Sequence, residues 1–142
     1  MSGFTPDTAM ELWLQGDASS VPEARGASHL FIEKAGAPWS IIEDDVALVV
    51  SELVSNACRH APGPCRVRLR TTGCETCIVE VWDTSSCLED VVVRTETMEP
   101  DVSLPCGGYG LGIVACLSHE VQVQREQSGK TVQAVLNAPG QP

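Results

Sequence analysis

The amino-acid sequence predicts an α+β protein, a two-layer sandwich in which helices cover one face of a mostly antiparallel or mixed β-sheet. The first observation is that apolar and polar residues alternate in five short segments, as they do in strands with one buried face. The second is the order of the predicted elements, β-α-α-β-β-loop-α-β-β. Consecutive strands in this order pair as hairpins, so the helices must cover one face of the sheet.

The N-terminal part of the chain predicts one strand and one helix. Residues 10–16 (MELWLQG) alternate and form the first predicted strand, and residues 1–9 before it are expected to be disordered or loosely held. Ser20 lies just before Pro22, a pattern typical of a helix start with proline in the first turn. Gly36 ends this helix.

A second helix is predicted from Ser40 to His60. Ser40 followed by Glu43 makes a capping-box pattern at its start, and Pro62 stops it. The apolar face of this helix consists of residues that recur at helical spacing: Ile42, Val46, Val49, Val50, Leu53 and Ala57.

A hairpin and a long connection are predicted after the second helix. Residues 65–70 (CRVRLR) and 77–83 (CIVEVWD) both alternate, and the glycine-containing segment between them suits a turn. Residues 84–107 carry several carboxylates and two prolines and lead into CGG, residues 106–108. A connection of this length in a compact domain is usually functional or mobile.

The C-terminal part predicts one helix followed by a second hairpin. The helix begins near Gly110, in YGLGIVACLSHE. Residues 120–126 (EVQVQRE) and 131–137 (TVQAVLN) alternate as two strands around the turn QSGK.

Length and charge limit the classes of function. At 142 residues the chain fits a single domain spanning residues 1–142. Nineteen acidic against nine basic residues give a net charge of -10, which repels a phosphate backbone, so direct nucleic-acid binding is not expected. No apolar stretch of about 18 residues is present, so no membrane association is expected. We expect a cytoplasmic location. Protein or small-molecule partners fit better.

The seven cysteines are scattered through apolar segments and are interpreted as reduced thiols that pack as small hydrophobic groups. One pair, Cys74 and Cys77 in CETC, leaves two interpretations open. It has the spacing of half of a zinc or redox site, but no second such pair follows, and it lies where a turn between two strands belongs. Turn chemistry is favoured over metal or redox work.

Glu52 and Asn56 lie four positions apart in SELVSNACRHA, residues 51–61. They share one stripe of the second helix with Asp45 and Arg59, at the edge of its apolar face. A carboxylate at such an edge is able to act as a general base, and an amide oxygen is a suitable ligand for Mg²⁺. The alternative is an ordinary helix flank in which Glu52 is solvated or paired with Arg59.

Asp83 ends the strand CIVEVWD on the same face as Val79 and Val81, which the alternation assigns to the core side. A carboxylate at the inner end of a strand is able to accept hydrogen bonds from a buried donor such as an exocyclic amine. The alternative is a turn aspartate that caps the segment DTSS.

The glycine-rich segment GGYGLG, Gly107 to Gly112, immediately precedes a predicted helix. Backbone amides at a helix N-terminus bind anions, and glycine lets an anion approach them without side-chain obstruction. Glycines also simply end loops, so this segment alone is a weak signal. It is not a dinucleotide-binding fingerprint, because no strand directly precedes it and no βαβ unit surrounds it.

In this order along the chain, the motifs resemble the ATP-binding domain, or Bergerat fold, of the histidine-kinase-like (GHKL) ATPase superfamily, over residues 20–137. Within it the chain looks most like the single-domain anti-sigma-factor serine kinases and related ATP-binding regulatory proteins abundant in actinobacteria. SELVSNACRHA resembles the N box of the family, GGYGLGIV its second glycine box and GKTVQAVL its final hairpin. The resemblance implies ATP and Mg²⁺ as cofactors.

The resemblance also implies roles for individual residues. Asn56 would bind the Mg²⁺ that bridges the ATP phosphates, Glu52 would activate the attacking hydroxyl as a base, and Asp83 would bind the adenine amine. Residues 84–107 would form the ATP lid. The other residues implied in nucleotide binding are Arg59, Gly108, Gly110, Leu111, Gly112 and Thr131.

The first glycine box departs from the superfamily pattern. Where the superfamily has D-x-G-x-G, this chain has Ser85 at the first glycine position and Cys87 at the second. The cysteine is expected to hinder tight closure over adenine, so a reduced nucleotide affinity is expected.

Two functions follow from the resemblance. The first is a regulatory protein serine/threonine kinase that holds a sigma factor or similar partner and transfers the γ-phosphate of ATP to a STAS-type antagonist. The second is a protein-interaction module on the same fold, ATP-dependent or ATP-free, that has no transfer activity. A homodimer is inferred from the resemblance alone.

Overall fold

The computed structural model describes residues 8–61, 63–73, 75–85 and 108–139. Predictions that concern residues 1–7 and 86–107 lie outside these described residues. The described elements follow the predicted order. They are β1 (Thr8–Leu14), α1 (Ser20–Ala35), a 3-10 turn (Trp39–Ile42), α2 (Glu43–His60), β2 (Cys65–Thr72), β3 (Thr76–Asp83), α3 (Gly108–Leu117), β4 (Glu120–Glu126) and β5 (Gly129–Asn137).

The five strands form one sheet in the order β1-β2-β3-β5-β4, and every neighbouring pair is antiparallel. Along β2 and β3 the residues alternate between a buried face and a partly exposed one, and β5 does so from Val132 onward. Both α1 and α2 pack against this sheet. The predicted α+β sandwich, with helices on one face of an antiparallel sheet, is confirmed.

The core lies between the helices and the buried face of the sheet. Each fully buried Val or Leu side chain there stabilises the fold by about 1.5–3 kcal/mol relative to an exposed one. The apolar face predicted for the second helix is buried as expected, and it meets alternate residues of the central strands. These buried residues include Val46, Val49, Val50, Leu53 and Ala57 of α2, Val67 and Leu69 of β2, Val79 and Val81 of β3, and Val132, Ala134 and Leu136 of β5.

The start of α2 differs from the prediction. Ser40 does not cap the helix, because residues 39–42 form a 3-10 turn that buries Trp39 and Ile42 in the core. The α-helix therefore begins at Glu43, with three acidic residues in its first turn that complement the positive end of the helix dipole. None of the described helices is long and apolar enough to span a membrane.

Several strands are longer than predicted, or lie earlier in the chain. β1 begins at Thr8 rather than residue 10, because the backbone N–H and the hydroxyl of Thr8 bond the Thr71 hydroxyl at 3.2 and 2.8 Å. β2 and β3 extend into the segment predicted as a turn, so that Thr72 pairs with Thr76. β5 begins at Gly129, which moves two residues of the predicted QSGK turn into the sheet.

The second face of the sheet carries an aromatic and cationic cluster. The Arg66 guanidinium lies 5.6 Å from the ring centroid of Trp13 and 6.0 Å from that of Trp82. The two indole rings meet edge to face at 5.9 Å. A cation over an indole face is attracted by the ring quadrupole, which stabilises this arrangement of three side chains on neighbouring strands.

Gly129 is expected to be essential for the pairing of β5 with β3. A Cβ atom at this position would lie 1.9 Å from the Asp83 carbonyl oxygen, so the two strands could not keep their register. We expect Gly129→Ala to lower the free energy of unfolding by about 3 kcal/mol. Chemical denaturation measures this loss.

Gly26 in α1 offers the matched control for that substitution. A Cβ atom there meets nothing within 4 Å, and alanine is the better helix former, so Gly26→Ala should stabilise the protein by about 0.8 kcal/mol. Equal effects of the two substitutions would contradict the steric argument at Gly129.

Candidate functional site

Asn56 and Glu52 lie on one side of α2, as predicted, but in different environments. Asn56 is buried, with 3% of its surface exposed, whereas Glu52 is half-buried. Arg59 Nη2 donates to Asn56 Oδ1 at 3.3 Å. Arg59 thus contacts the carboxamide rather than Glu52, which has no hydrogen bond or ion pair to the residues that the structure describes.

Asp83 is buried at the end of β3, on the core face that the alternation predicted. Its Oδ1 atom accepts a hydrogen bond from the Ser85 backbone N–H at 2.7 Å, so the side chain also caps the turn that follows the strand. The two interpretations of Asp83 are therefore compatible. The carboxylate both ends the strand inside the protein and organises the first residues after it.

The sequence-based reasoning missed Lys130, which contacts both carboxylate oxygens of Asp83. Lys130 Nζ lies 3.0 Å from Oδ1 and 2.8 Å from Oδ2, and the lysine side chain is completely buried. The pair forms because Asp83 and Lys130 are directly opposite each other on β3 and β5. A signal was available: Lys130 has the same parity as Val132, Ala134 and Leu136, which places it on the core face.

Thr131 lies on the sheet face opposite to Asp83. It pairs with Trp82, and its hydroxyl donates to Glu126 Oε2 at 2.5 Å. The structure therefore does not bring the Thr131 side chain together with the Asp83 carboxylate, and Lys130 takes that place. A role for Thr131 in nucleotide binding stays a prediction.

The C-terminal end of α2 and the end of β3 lie at the same edge of the molecule. α2 packs against β3. Burial raises the pKa of the Cys58 thiol, two residues beyond Asn56, and the negative charges of Asp17 and Asp83 also raise it, against the lowering effect of hydrogen bonds to Cys65 and Ser20. α2 ends at His60 and β2 begins at Cys65, and the second residue of β2, Arg66, pairs with Trp82 beside Asp83, so the end of α2 lies near the end of β3.

The predicted glycine positions lie in the first half of α3. The helix begins at Gly108, so Gly108 and Gly110 belong to its first turn, and Leu111 and Gly112 follow directly. The first four backbone N–H groups of a helix have no partner within that helix. α3 also packs against α2, the helix that carries Glu52 and Asn56.

The cysteine motif shows no metal site in the part of the chain that the structure describes. Cys74 lies outside the described residues. Burial raises the pKa of Cys77 to about 12, which keeps this thiol protonated and a poor metal ligand. No cluster of three or more His, Cys, Asp or Glu side chains among the described residues is arranged to hold a metal ion.

Comparisons with known proteins agree on the fold. A family model described as the histidine kinase-like ATPase domain matches residues 14–136. No curated protein sequence matches the chain significantly. Solved structures that match include a chain in the crystal structure of the RsbU and RsbW domains of Rv1364c from Mycobacterium tuberculosis, with a TM-score of 0.66 at 16% identity. The match covers 94% of the present chain but only 33% of that one, so the chain spans about a third of the mycobacterial protein chain.

A chain in the structure of the SiaB-SiaC complex from Pseudomonas aeruginosa also matches, with a TM-score of 0.63 at 16% identity, and 88% of each chain is covered. Identities this low show a shared fold and nothing finer.

Proposed function

The chain belongs to the histidine kinase-like ATPase domain family, and from this premise we propose that it binds Mg·ATP and phosphorylates a serine or threonine hydroxyl of a partner protein. The observation that carries the proposal is the presence of two polar side chains, Asn56 and Glu52, on one side of α2. The buried carboxamide of Asn56 lies one turn from the half-buried carboxylate of Glu52, which has no partner among the described residues, on a helix whose other buried residues are aliphatic except for Ser51. Burying a polar group costs stability unless it is hydrogen-bonded, and the one hydrogen bond described for Asn56, from Arg59, leaves most of the capacity of its carboxamide for a ligand.

Asn56 is the proposed Mg²⁺ ligand. Its Oδ1 oxygen is a hard neutral donor, and the long 3.3 Å bond from Arg59 is easily exchanged. Mg²⁺ in nucleotide sites keeps several waters and takes only one or two protein ligands beside the phosphates, so one carboxamide is a sufficient contribution. The metal, when bound, neutralises phosphate charge. The protein as a whole is strongly acidic and offers little neutralisation of its own.

Glu52 is the proposed general base. Its carboxylate accepts the proton of the partner hydroxyl while the hydroxyl oxygen forms a bond to the γ-phosphorus, and the bond from that phosphorus to the β-γ bridging oxygen breaks, so that ADP leaves. The backbone N–H groups at the start of α3 and the Arg59 guanidinium supply further donors for phosphate oxygens. The Asp83 carboxylate accepts a hydrogen bond from the exocyclic amine of adenine. Positioning and charge neutralisation are most of what phosphoryl transfer requires from a protein.

The proposed partners are a sigma factor and a STAS-domain antagonist, the antagonist being the phosphate acceptor. The fold likeness to RsbW domains and to a chain of the SiaB-SiaC complex supports a partner-binding regulator. A homodimer is part of the same proposal. Phosphorylation of a STAS-domain protein by the purified chain, detected by mass spectrometry, tests the transfer step.

A second candidate is an interaction module on this fold that has lost transfer. The buried ion pair favours it, because Lys130 already holds both oxygens of the proposed adenine-binding carboxylate. Ser85 in place of the first glycine of the adenine-binding box points in the same direction.

Calorimetric titration with ATP, with and without Mg²⁺, separates the two candidates. The kinase predicts saturable binding that depends on Mg²⁺. Absence of binding at millimolar ATP would contradict it and leave the interaction module.

A further inference from the structure

The ion pair between Asp83 and Lys130 is the most deeply buried pair of charges in the described part of the chain. The Lys130 side chain has no exposed surface, and that of Asp83 is 3% exposed. All other ion pairs described for the chain involve side chains that are at least one-fifth exposed. Bringing two charges out of water is expensive, and many alternatives without charge are neutral or more stable. Packing alone therefore does not explain why this pair is present.

The hydrogen bonds of the pair use most of the accepting capacity of Asp83. An ionised carboxylate offers about four lone-pair positions. Lys130 occupies one position on each oxygen, and the Ser85 N–H occupies another on Oδ1. About one position remains, on Oδ2. The charge of that oxygen is also largely compensated by the ammonium at 2.8 Å.

We propose that Lys130 determines the nucleobase selectivity of the site by weakening the hydrogen bond that the Asp83 carboxylate accepts from the exocyclic amine of adenine. The inference rests on the proposed function, because that function assigns Asp83 to the binding of the nucleobase. A hydrogen bond to a free charged acceptor contributes more than one to a neutral acceptor. The ammonium therefore weakens the contact that distinguishes an amine from a carbonyl at the same position of the nucleobase.

The consequence is a site with little preference between adenine and a purine that carries a carbonyl in place of the amine. ATP and inosine triphosphate differ in this one group. With Lys130 present, we expect the two nucleotides to bind with nearly equal affinity. Without the ammonium, the free carboxylate attracts the amine of ATP and repels the carbonyl of inosine triphosphate.

The test compares Mg²⁺-dependent binding of ATP and inosine triphosphate to the wild type and to Lys130→Met by calorimetry. Methionine has a similar length and no charge. The expected result is a rise of about tenfold in the preference for ATP. Lys130→Gln, which still donates to one Asp83 oxygen, should give an intermediate preference, and it keeps the test open if the methionine variant is poorly folded.

Lys34→Met is the matched control, because it removes a lysine charge from the exposed last turn of α1. It should leave the preference unchanged. An unchanged preference in both Lys130 variants, with ATP still bound, would overturn the inference and leave the proposed function intact. Failure of wild type and variants alike to bind either nucleotide would refute the proposed function, and the inference with it.

Discussion

Replacement of Asn56 with alanine is expected to abolish Mg·ATP binding while the protein remains folded. The carboxamide oxygen is the proposed protein ligand of the metal, and alanine removes it without introducing a charge or a larger side chain. Loss of a group that merely supports a metal ligand lowers metal affinity by about 10- to 100-fold, so loss of the ligand itself should exceed about 100-fold. Calorimetric titration with ATP at saturating Mg²⁺ measures the change.

Asn137→Ala provides the matched control for this substitution. Asn137 is exposed and pairs with Thr76. It is the last residue of β5, whereas Lys130 lies near the start of that strand. The same chemical change there should leave nucleotide binding unaltered. Thermal unfolding of both variants checks that neither loses its fold. Retention of binding within about threefold by Asn56→Ala would remove Asn56 from the metal site and require another ligand.

Replacement of Glu52 with glutamine is expected to separate binding from chemistry. Glutamine keeps the length and shape of the side chain, and Glu52 has no ion pair to the described residues that the change would break. Mg·ATP affinity should therefore stay within about twofold. The glutamine cannot accept the hydroxyl proton, so the transfer rate should fall by about 10²- to 10⁴-fold, the usual contribution of a general base.

The measurement is a single-turnover assay of phosphate transfer from ATP to a STAS-domain protein, with phosphate release to water measured in parallel. Glu33→Gln, on the exposed side of α1, is the matched control and should behave as the wild type. An equal loss of nucleotide binding in the Glu52 and Asn56 variants would show that the two residues do not divide metal binding and proton transfer between them.

The layers of the fold could be predicted because the alternation of apolar and polar residues indicates which face of each strand is buried. The parity of Val79, Val81 and Asp83 assigned one face of β3 to the core, and the structure buries all three. The spacing of residues on α2 likewise predicted Asn56 at the edge of an apolar face. In the structure its side chain is buried and contacts Arg59. These signals are local to a single element, so they can be read from one sequence.

Features that depend on several elements could not be predicted in the same way. Ser40 has a sound capping pattern, but the burial of Trp39 and Ile42 against the core outweighs the small stabilisation of a cap. The contact between Asp83 and Lys130 depends on strand register across 47 positions of sequence. The catalytic and binding roles of the site residues come from the family resemblance, and they stay predictions until the variants are measured.

Two of the three tryptophans, Trp13 and Trp39, report on different layers of the protein. Trp39 is completely buried beneath the helices, whereas Trp13 is 54% exposed on the opposite side of the sheet, in contact with Arg66. A soluble quencher such as acrylamide should therefore reach Trp13 and leave the emission of Trp39 unaffected. If a partner protein protects the Trp13 emission from the quencher, that partner binds the face of the sheet that carries Trp13 and Arg66. The measurement needs no label on either protein.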